Sequence, residues 1–556
     1  MPVSIPPGSI VLLADMREPG VVLGSLDGGQ TVLVAMASWE EVTGVTAMSV
    51  EDLADVPPEV EPSLWVRGHE ERTADPDGLR TVGHLTDEAT AMLLRQRTLG
   101  SARLFHDVWH GPRRPQDNHD VVAYAGRVFD AREVENAVDA SLDFWLTMGR
   151  YADRLQRDLS TYLGVRRTCL VGSGSAANLV AVSALTSPSL GDRALRPGDE
   201  VITTACAFPT TVNPIVQIGC VAVLVDTDPG SGNVVVEAME AALTERTRAV
   251  ILAHALGNPF DLAAVTAFCE RHDLWLIEDT CDALGSLYHG RAVGSFGDLS
   301  TLSFYPAHHI TTGEGGAVNV VSDTGLMRLV ESVRDWGRDC WCKSGQDNVC
   351  GARFSLQQGH LPEGYDHKFV YSHLGYNLKL TDWQAAIGCA QFEKLDEFNA
   401  ARRRNWAGLR EVFAEYEDHL ELPYPEPGSE PSWFGFKIVV RPDAPFDRSD
   451  LVGHLEAQRI QTRMIFAGNI ARQPAYVDHP LVRVAGELPG ADRIMASAFF
   501  IGVYPGNTAA HVERVAEVMR AFGQTAAADP NTLRLAARDL SPRREAARPR
   551  PDLDRG

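Results

Sequence analysis

The stretch Ser-Phe-Tyr-Pro-Ala-His-His-Ile-Thr-Thr-Gly-Glu-Gly-Gly-Ala occupies positions 303–317 of a chain of 556 residues. It is short and polar, and it ends in a glycine-rich turn, which is typical of a loop rather than of a core element. Glu-Asp-Thr-Cys precedes it at 278–281, and Cys-Trp-Cys follows it at 340–342, with another cysteine at 350. These segments carry the side chains with the most chemistry, and the rest of the chain is interpreted around them.

Short apolar runs alternate with amphipathic stretches from about residue 121 to 440. Runs such as 201–204, 249–253 and 274–277 suit strands buried on both faces of a largely parallel sheet. The stretch 236–243 has helical periodicity instead. This alternation predicts an α/β domain with right-handed crossovers, in which ligands bind at the C-terminal ends of the strands.

The remaining segments predict a multidomain chain. A small acidic β-rich module of unknown role is expected over 1–75, a connector with a helix near 86–97 over 76–120, and the large domain over 121–410. A long charged helix over 390–410 leads to a small C-terminal α/β domain over 411–522, with a strand near 434–440 and a helix over 449–458. The tail at 523–556 is rich in Ala, Arg, Asp and Pro and is predicted to be disordered.

Composition excludes several classes of partner. The formal net charge is −23, and residues 1–90 carry 4 Arg against 16 Asp plus Glu. Nucleic acid and anionic membranes are therefore not expected partners. Neither a signal peptide nor a transmembrane run is visible, so a cytoplasmic protein is expected. Nine cysteines in so long a chain do not indicate a disulfide framework.

Three features suggest a cofactor site, each with a plain structural alternative. Gly-Ser-Gly-Ser-Ala-Ala at 172–177 follows an apolar run and opens a helix, which suits either an anion site or a tight turn. Asp279 stands just past the run 274–277, where its carboxylate either faces a pyridine nitrogen or caps a helix. Phe208 is suited to stacking on a flat ring and equally to a place in the core.

The order of these motifs, continued by Gly-Tyr-Asn-Leu-Lys-Leu-Thr-Asp at 375–382, resembles the DegT/DnrJ/StrS-type sugar aminotransferases. The resemblance covers roughly 120–520. It implies fold type I of the pyridoxal-phosphate enzymes, with a mainly parallel seven-stranded sheet, a smaller C-terminal domain and a homodimer whose active sites lie at the interface. It also implies roles for individual residues: Asp279 on the pyridine nitrogen, Phe208 on the ring, Ser175, Ala176 and Ser303 on the phosphate, and Asn377 on the phosphate of the neighbouring subunit's cofactor.

One position departs from the aminotransferase pattern. Where transaminating members carry the lysine that forms a Schiff base with pyridoxal, this chain has His308. Imidazole forms no stable Schiff base but is a competent general base near neutral pH. The segment 305–311 resembles the NDP-4-keto-6-deoxyglucose 3-dehydrases, and this implies non-covalently held pyridoxamine phosphate (PMP), with His308 removing a proton from its C4′ carbon. His309 is expected to be structural.

The cysteines distinguish two branches of that subfamily. Cys340, Cys342 and Cys350 form a C-x-C-x7-C pattern in a polar loop. This spacing alone leaves zinc and iron–sulfur open, because both are often held by four thiolates. The resemblance favours a [2Fe–2S] cluster with Cys281 as the fourth ligand, reduced by a separate flavin and iron–sulfur reductase.

In the second domain, 461–469 resembles the subfamily's stretch for binding the sugar nucleotide. Arg463, Asn469 and Arg493 are candidate substrate ligands, although surface arginines serve solvation as often as diphosphate binding. The chain is predicted to remove the C3 oxygen of an NDP-4-keto-6-deoxyhexose. The alternatives are a nucleotide-sugar aminotransferase, a cluster-free 3-dehydratase regenerated by glutamate, and a regulator that uses the aminotransferase fold.

Overall fold

The computed structural model describes residues 9–13, 19–26, 31–38, 46–49, 53–54, 63–74, 79–85, 87–111, 120–321 and 324–528. Two compact units are present. The first takes Met1–Arg113 and Phe129–Trp145, and the second takes Arg114–Val128 and Leu146–Gly556. The predicted domain boundaries differ from this division and stay predictions.

The first unit contains an antiparallel sheet of seven strands, ordered β4-β6-β3-β2-β1-β7-β5. Its strands are β1 Ser9–Leu13, β2 Pro19–Leu26, β3 Thr31–Ser38, β4 Thr46–Ser49, β5 Leu53–Ala54, β6 Ser63–Ala74 and β7 Leu79–Leu85. The sheet continues past the predicted end of the module at 75, because β7 pairs with β1. Pairing between strands so distant in sequence is a property of the fold that local patterns do not show.

Two helices complete the first unit, α1 Asp87–Trp109 and α2 Ala131–Asp143. α1 runs well beyond the predicted helix at 86–97. Ion pairs join the two helices, with Arg95 on Asp139 and Arg103 on Glu135. Partly exposed pairs of this kind add little to stability individually.

The second unit is built on a mixed sheet of eight strands, ordered β21-β10-β9-β11-β12-β15-β16-β8. Its N-terminal elements are α3 Arg150–Leu163, β8 Arg167–Val171, α4 Gly174–Ala184, β9 Glu200–Thr204, α5 Pro209–Gln217, β10 Val221–Val225, α6 Val236–Ala242, β11 Thr247–Ala253, α7 Leu262–Arg271, β12 Trp275–Asp279, β13 Leu287–Tyr288, β14 Arg291–Ala292, β15 Leu299–Ser303, β16 Gly316–Val320 and α8 Thr324–Arg334.

The α/β fold is confirmed, and the apolar runs are its buried strands. Every residue of β9 and β12 is buried, as expected for a sheet with helices on both faces. The eighth strand, beyond the seven expected, is β21, a three-residue segment at Val482–Val484 that pairs with β10. Its Val-Arg-Val sequence is too short to predict a strand.

The stretch 303–317 connects two neighbouring strands of this sheet. β15 ends at Ser303, β16 begins at Gly316, and these two residues pair in an antiparallel ladder. Residues 304–315 therefore form a loop at the edge of the sheet where β15 ends. This edge is also where β12 ends with Asp279.

The C-terminal part contains a second sheet of four strands, ordered β17-β19-β22-β20. Its elements are α9 Asp382–Phe392, α10 Leu395–Phe413, β17 Leu420–Glu421, β18 Ser429–Glu430, β19 Gly435–Val440, α11 Arg448–Ala457, β20 Thr462–Arg463, β21, α12 Pro489–Ser497, β22 Ala498–Gly502 and α13 Ala509–Ala528. β19 and α11 lie where they were predicted. The long helix expected over 390–410 is instead α9 and α10, and α13 extends to 528. The rest of the predicted tail lies outside the described residues.

None of the helices in the described ranges is long and apolar enough to cross a membrane.

Gly257 offers a test of the packing between the large sheet and the segment before β19. Its φ is +89°, and a Cβ there would overlap the carbonyl oxygen of Ser432. We expect Gly257→Ala to lower the free energy of unfolding by about 2–4 kcal/mol, measured by urea denaturation. Gly290→Ala is the matched control, because its φ is +74° but open space surrounds the new methyl group. It should cost about 1 kcal/mol, and equal losses in the two variants would contradict the steric argument.

Candidate active site

One cavity of about 520 Å³ lies at the C-terminal ends of the large sheet's strands. The turn after β8, the end of β12, the end of β15 and the loop 304–315 all contribute to its wall. Ser175, Phe208, Asp279, Cys281, Ser303 and His308 border it, so most of the predicted site residues come together. This is the expected location of a ligand in an open α/β sheet.

The N-terminus of α4 forms one end of the cavity. Ser173 caps the helix and accepts a hydrogen bond at Oγ from the Ala176 amide, at 3.0 Å. Gly174 is required by close packing, because a Cβ there would stand 2.5 Å from Ser303 Cβ. A helix N-terminus flanked by serine hydroxyls suits a phosphate group. The Ala176 amide is used by the cap, and Ser173, which the sequence did not single out, borders this end of the cavity.

Asp279 is held by several hydrogen bonds. Its Oδ2 accepts from Asn178 Nδ2 and from Thr211 Oγ1, both at 2.8 Å. Its Oδ1 accepts from the Cys281 amide at 3.3 Å. A carboxylate oriented in this way at the cavity wall fits the protonated nitrogen of a pyridine ring. Asn178 was not predicted, although it is a polar residue in an otherwise small and apolar helix.

Phe208 stands at the N-cap of α5 and borders the same cavity. Its side chain is 51% exposed, so it is not a core residue. An aromatic face open to the cavity can stack on a flat ring. The helix N-terminus, Asp279 and Phe208 together fit the phosphate, nitrogen and ring of a pyridoxal-type cofactor.

His308 lies in the loop that follows β15. Its Nδ1 is 3.3 Å from Asp282 Oδ1, an ion-pair distance without the alignment of a hydrogen bond. Its ring centroid is 5.3 Å from that of Phe434. Asp282 and Phe434 both border the cavity and were not predicted. In the part of the chain that the structure describes, no lysine borders this cavity, so no Schiff base can form from its wall.

His309 points away from the cavity and is buried. Its Nε2 donates a hydrogen bond to the Ser432 carbonyl oxygen at 2.9 Å. Burial lowers its pKa well below the usual value, with the Arg402 charge adding to the effect. This geometry is that of a structural histidine.

Cys340, Cys342 and Cys350 lie close together in one loop. The Cys342 amide is 3.5 Å from Cys340 Sγ, and Cys342 Sγ accepts from the Val349 amide at 3.3 Å. Cys350 Sγ accepts from the Ala352 amide at 3.4 Å. Burial raises the pKa of Cys340, and the neighbouring thiols add to the shift. Clustered sulfurs that accept amide hydrogen bonds suit metal ligation.

Cys281 has different surroundings. It borders the cofactor-sized cavity, and burial raises the pKa of its thiol well above the usual value, with Asp279 adding to the shift. Across the described residues, no group of three or more His, Cys, Asp and Glu side chains has the arrangement of a metal site. The loop thiols therefore fit a metal only in part, and the link from Cys281 to them stays a prediction.

The three predicted substrate residues have different surroundings in the structure. Arg463 borders the cavity, with its guanidinium carbon 3.8 Å from the centroid of the Tyr124 ring. Asn469 is fully buried and donates to Asp492 at 2.6 Å. Arg493 pairs with Glu421 at 2.6 Å. Of the three, the structure brings only Arg463 to the cavity.

Asn377 is outside the cavity of its own chain. Its side-chain oxygen accepts a hydrogen bond from Lys379 at 2.9 Å, and its main chain pairs with Asp335. A contact with a neighbouring subunit's cofactor stays a prediction.

Comparison with known proteins gives a consistent match. The chain is 51% identical over 402 residues to the lipopolysaccharide biosynthesis protein RfbH of Salmonella typhimurium, covering 72% of this chain and 92% of that protein. It is 47% identical over 434 residues to the dTDP-4-dehydro-2,6-dideoxy-D-glucose 3-dehydratase of Saccharopolyspora spinosa, covering 77% and 92%.

Among solved structures, the Escherichia coli GDP-4-keto-6-deoxy-D-mannose-3-dehydratase with bound hydrated PLP aligns with a TM-score of 0.65 at 26% identity. The alignment covers 71% of this chain and 98% of that one. Residues 129–520 match the DegT/DnrJ/EryC1/StrS aminotransferase family. The chain therefore belongs to this family of pyridoxal-phosphate-type enzymes, and nucleotide-sugar 3-dehydratases are among its relatives.

Proposed function

We propose that this chain is a PMP-dependent 3-dehydratase that removes the C3 hydroxyl of an NDP-4-keto-6-deoxyhexose. The observation that carries the proposal is His308 at the cofactor cavity, with no lysine among the described residues of the cavity wall. A transaminase of this fold needs a lysine for its Schiff base. The similarity to named 3-dehydratases supports the same reading.

The chain's own residues can hold the cofactor non-covalently. The N-terminus of α4, with Ser175 and Ser303, would bind the phosphate. Phe208 would stack on the ring, and the Asp279 carboxylate would face the pyridine nitrogen. When bound, PMP supplies an amine that condenses with a sugar ketone and a ring that accepts electrons.

His308 would act as the general base. With the cofactor bound, it would take up a proton from the C4′ carbon at an imidazole nitrogen. Because Asp282 faces Nδ1, the carboxylate stabilises the imidazolium that results, and Nε2 is the nitrogen that accepts the proton. The apolar wall around His308, which includes Phe434, limits access of water to the reacting atoms.

We also propose that Cys340, Cys342 and Cys350, with Cys281, bind a [2Fe–2S] cluster that is reduced by a separate flavin-containing reductase. The three clustered loop thiols and their amide hydrogen bonds support this part. Anaerobically purified protein should then contain iron and acid-labile sulfide in equal amounts and give an EPR signal after reduction.

The matched variants for the cluster are Cys350→Ser and Cys269→Ala. Cys269 is buried in the core away from the loop, so its variant should keep the iron. Cys350→Ser, in contrast, should lose the iron, because it lacks one thiolate ligand of the cluster. Iron-free wild-type protein that turns over with glutamate would instead support the cluster-free dehydratase.

The decisive assay supplies PMP, a reductase and CDP- or dTDP-linked 4-keto-6-deoxyhexose, with the dTDP-linked 2,6-dideoxy sugar as a third substrate. The expected product is lighter than the ketosugar by one oxygen atom, as measured by mass spectrometry. An amino sugar formed with glutamate, together with an absorption band abolished by borohydride, would establish the aminotransferase instead.

Arg463 provides a prediction for substrate binding. We propose that its guanidinium, stacked on Tyr124 at the cavity wall, binds the diphosphate of the nucleotide sugar. Arg463→Ala should raise KM by roughly tenfold or more, with PMP affinity unchanged. Arg493→Ala is the comparison, because Arg493 is paired with Glu421 outside the cavity wall. If Arg493→Ala raised KM more than Arg463→Ala, Arg493 rather than Arg463 would be the diphosphate ligand.

We further propose a cytoplasmic homodimer in which Asn377 approaches the partner subunit's cofactor. Sedimentation of the purified protein tests the oligomeric state. A monomer with full turnover would contradict the proposal that Asn377 contributes to the partner subunit's active site.

A further inference from the structure

A much smaller cavity is lined in part by the loop 304–315. Its volume is about 20 Å³, and its wall includes Ala307, His308, His309, Gln391, Arg402 and Tyr504. His308 thus borders both the large cavity and this small one. A cavity needs roughly 10–15 Å³ on this measure to hold one water molecule.

Arg402 is a buried cation on this wall. Its guanidinium donates to the carbonyl oxygens of His308 at 2.8 Å and of Trp433 at 3.3 Å. Among the described residues, no carboxylate forms an ion pair with it, and its Nε is buried without a hydrogen-bond partner. Burial lowers its pKa to about 10, so the group stays charged near neutral pH. The Nε–H is therefore a donor that lacks an acceptor.

His309 contributes an unmatched atom of the opposite kind. Its Nε2 faces a carbonyl oxygen, which can only accept, so Nε2 carries the proton. Burial lowers the pKa of His309 well below its usual value, so the ring is neutral. Nδ1 is then a bare acceptor, and within the described ranges it is buried without a partner.

These two atoms determine which occupant fits. It must accept a hydrogen bond from Arg402 Nε and donate one to His309 Nδ1. A halide cannot donate, and a metal cation cannot accept from a guanidinium. We propose that the small cavity is a binding site for one internal water molecule that links Arg402 Nε to His309 Nδ1.

Tyr504 also lines this cavity, and in this proposal its hydroxyl is a third polar partner for the water, within the two to four partners that buried waters have. The water completes the hydrogen bonds of Arg402, and Arg402 holds the main chain of His308. His309 is thus a positioning residue for its neighbour rather than a second base. The water site does not depend on the proposed reaction. The effect of the water on turnover, in contrast, rests on the proposed function.

A matched pair of substitutions separates the two nitrogens of His309. The side-chain amide of Gln can replace Nε2 and keep the bond to Ser432, but it leaves nothing in place of Nδ1. The amide of Asn reaches the position of Nδ1 and loses the bond to Ser432. High-resolution crystal structures of the wild type, His309→Gln and His309→Asn form the test, with circular dichroism as the check on folding.

We expect a single ordered water in the wild type within about 3.2 Å of Arg402 Nε and His309 Nδ1. It should persist in His309→Asn and be absent from His309→Gln. Bromide soaks with anomalous scattering should show no peak there. An anion peak, a wild-type cavity without water, or Arg402 Nε bonded to protein would each overturn the water site, and none of these outcomes depends on the reaction.

Turnover gives the second readout. If the water positions the His308 loop, His309→Gln should lower kcat severalfold with KM and PMP affinity unchanged, and His309→Asn should lower it less. A purely structural histidine predicts the reverse order, because only His309→Asn breaks the bond to Ser432. If wild-type protein shows the water but no dehydration, the proposed function fails and the water site stands.

Discussion

His308→Asn should reduce 3-deoxy product formation by about 10²–10⁴-fold, the usual contribution of a general base. Asparagine is close in size to histidine and can form hydrogen bonds, but it cannot take a proton from the C4′ carbon. PMP binding should remain near wild-type strength, because the residues proposed to hold the phosphate, ring and nitrogen of the cofactor do not include His308. The measurements are single-turnover product formation and a fluorescence titration with PMP.

Two controls sharpen this result. His308→Lys should gain an absorption band from an aldimine with added pyridoxal phosphate, because it restores the amine at the cavity wall, and it should not regain dehydration. His272→Asn replaces a histidine between α7 and β12, at the N-terminal end of that strand and next to Phe268, and should leave turnover unchanged. Full activity in His308→Asn would remove His308 as the base.

Asp279→Asn should be the second most damaging change. The carboxylate is positioned by Asn178 and Thr211 and would pair with the protonated pyridine nitrogen. A neutral amide of the same size removes the charge-assisted bond, which is worth about 2–4 kcal/mol. That loss corresponds to roughly 30- to 700-fold in rate at about 1.4 kcal/mol per factor of ten. PMP affinity should fall as well, because the ground state also uses this contact.

Thr211→Val is the graded control for Asp279. It deletes one of the donors to the carboxylate but keeps the charge and almost the same shape. Its effect on turnover should be about tenfold or less. If Asp279→Asn retained both wild-type turnover and wild-type PMP affinity, the carboxylate would have no role with the ring and would be a local helix-end contact.

Much of the fold was predictable because it rests on local patterns. The apolar runs 201–204 and 274–277 coincide with the buried strands β9 and β12, and the glycines at 172 and 174 open a helix. Hydrophobic periodicity and turn residues act over a few positions and are visible in sequence. The added strand β21 was not predictable, because three residues show no periodicity. This strand forms only through its pairing with β10.

The candidate site divides in the same way. His308 in place of lysine is a substitution at one position of a motif, and it is visible in the sequence alone. Asp279 and Phe208 were also identified from sequence, and the structure places them on one cavity wall. The sequence could not predict that Asn469 is hydrogen-bonded to Asp492 or that Arg493 forms an ion pair with Glu421. These contacts join segments that are distant in sequence.

The sequence by itself determined that this chain has an α/β fold of the aminotransferase family with a histidine at the Schiff-base position. Only the tertiary structure decided that Asp282 faces that histidine, that Arg402 holds its main chain, and that Cys281 borders the same cavity as His308. The physical reason is the distance along the chain over which each interaction acts. Backbone geometry follows from neighbouring residues, whereas the partner of a buried charge is set by whichever distant segment packs against it.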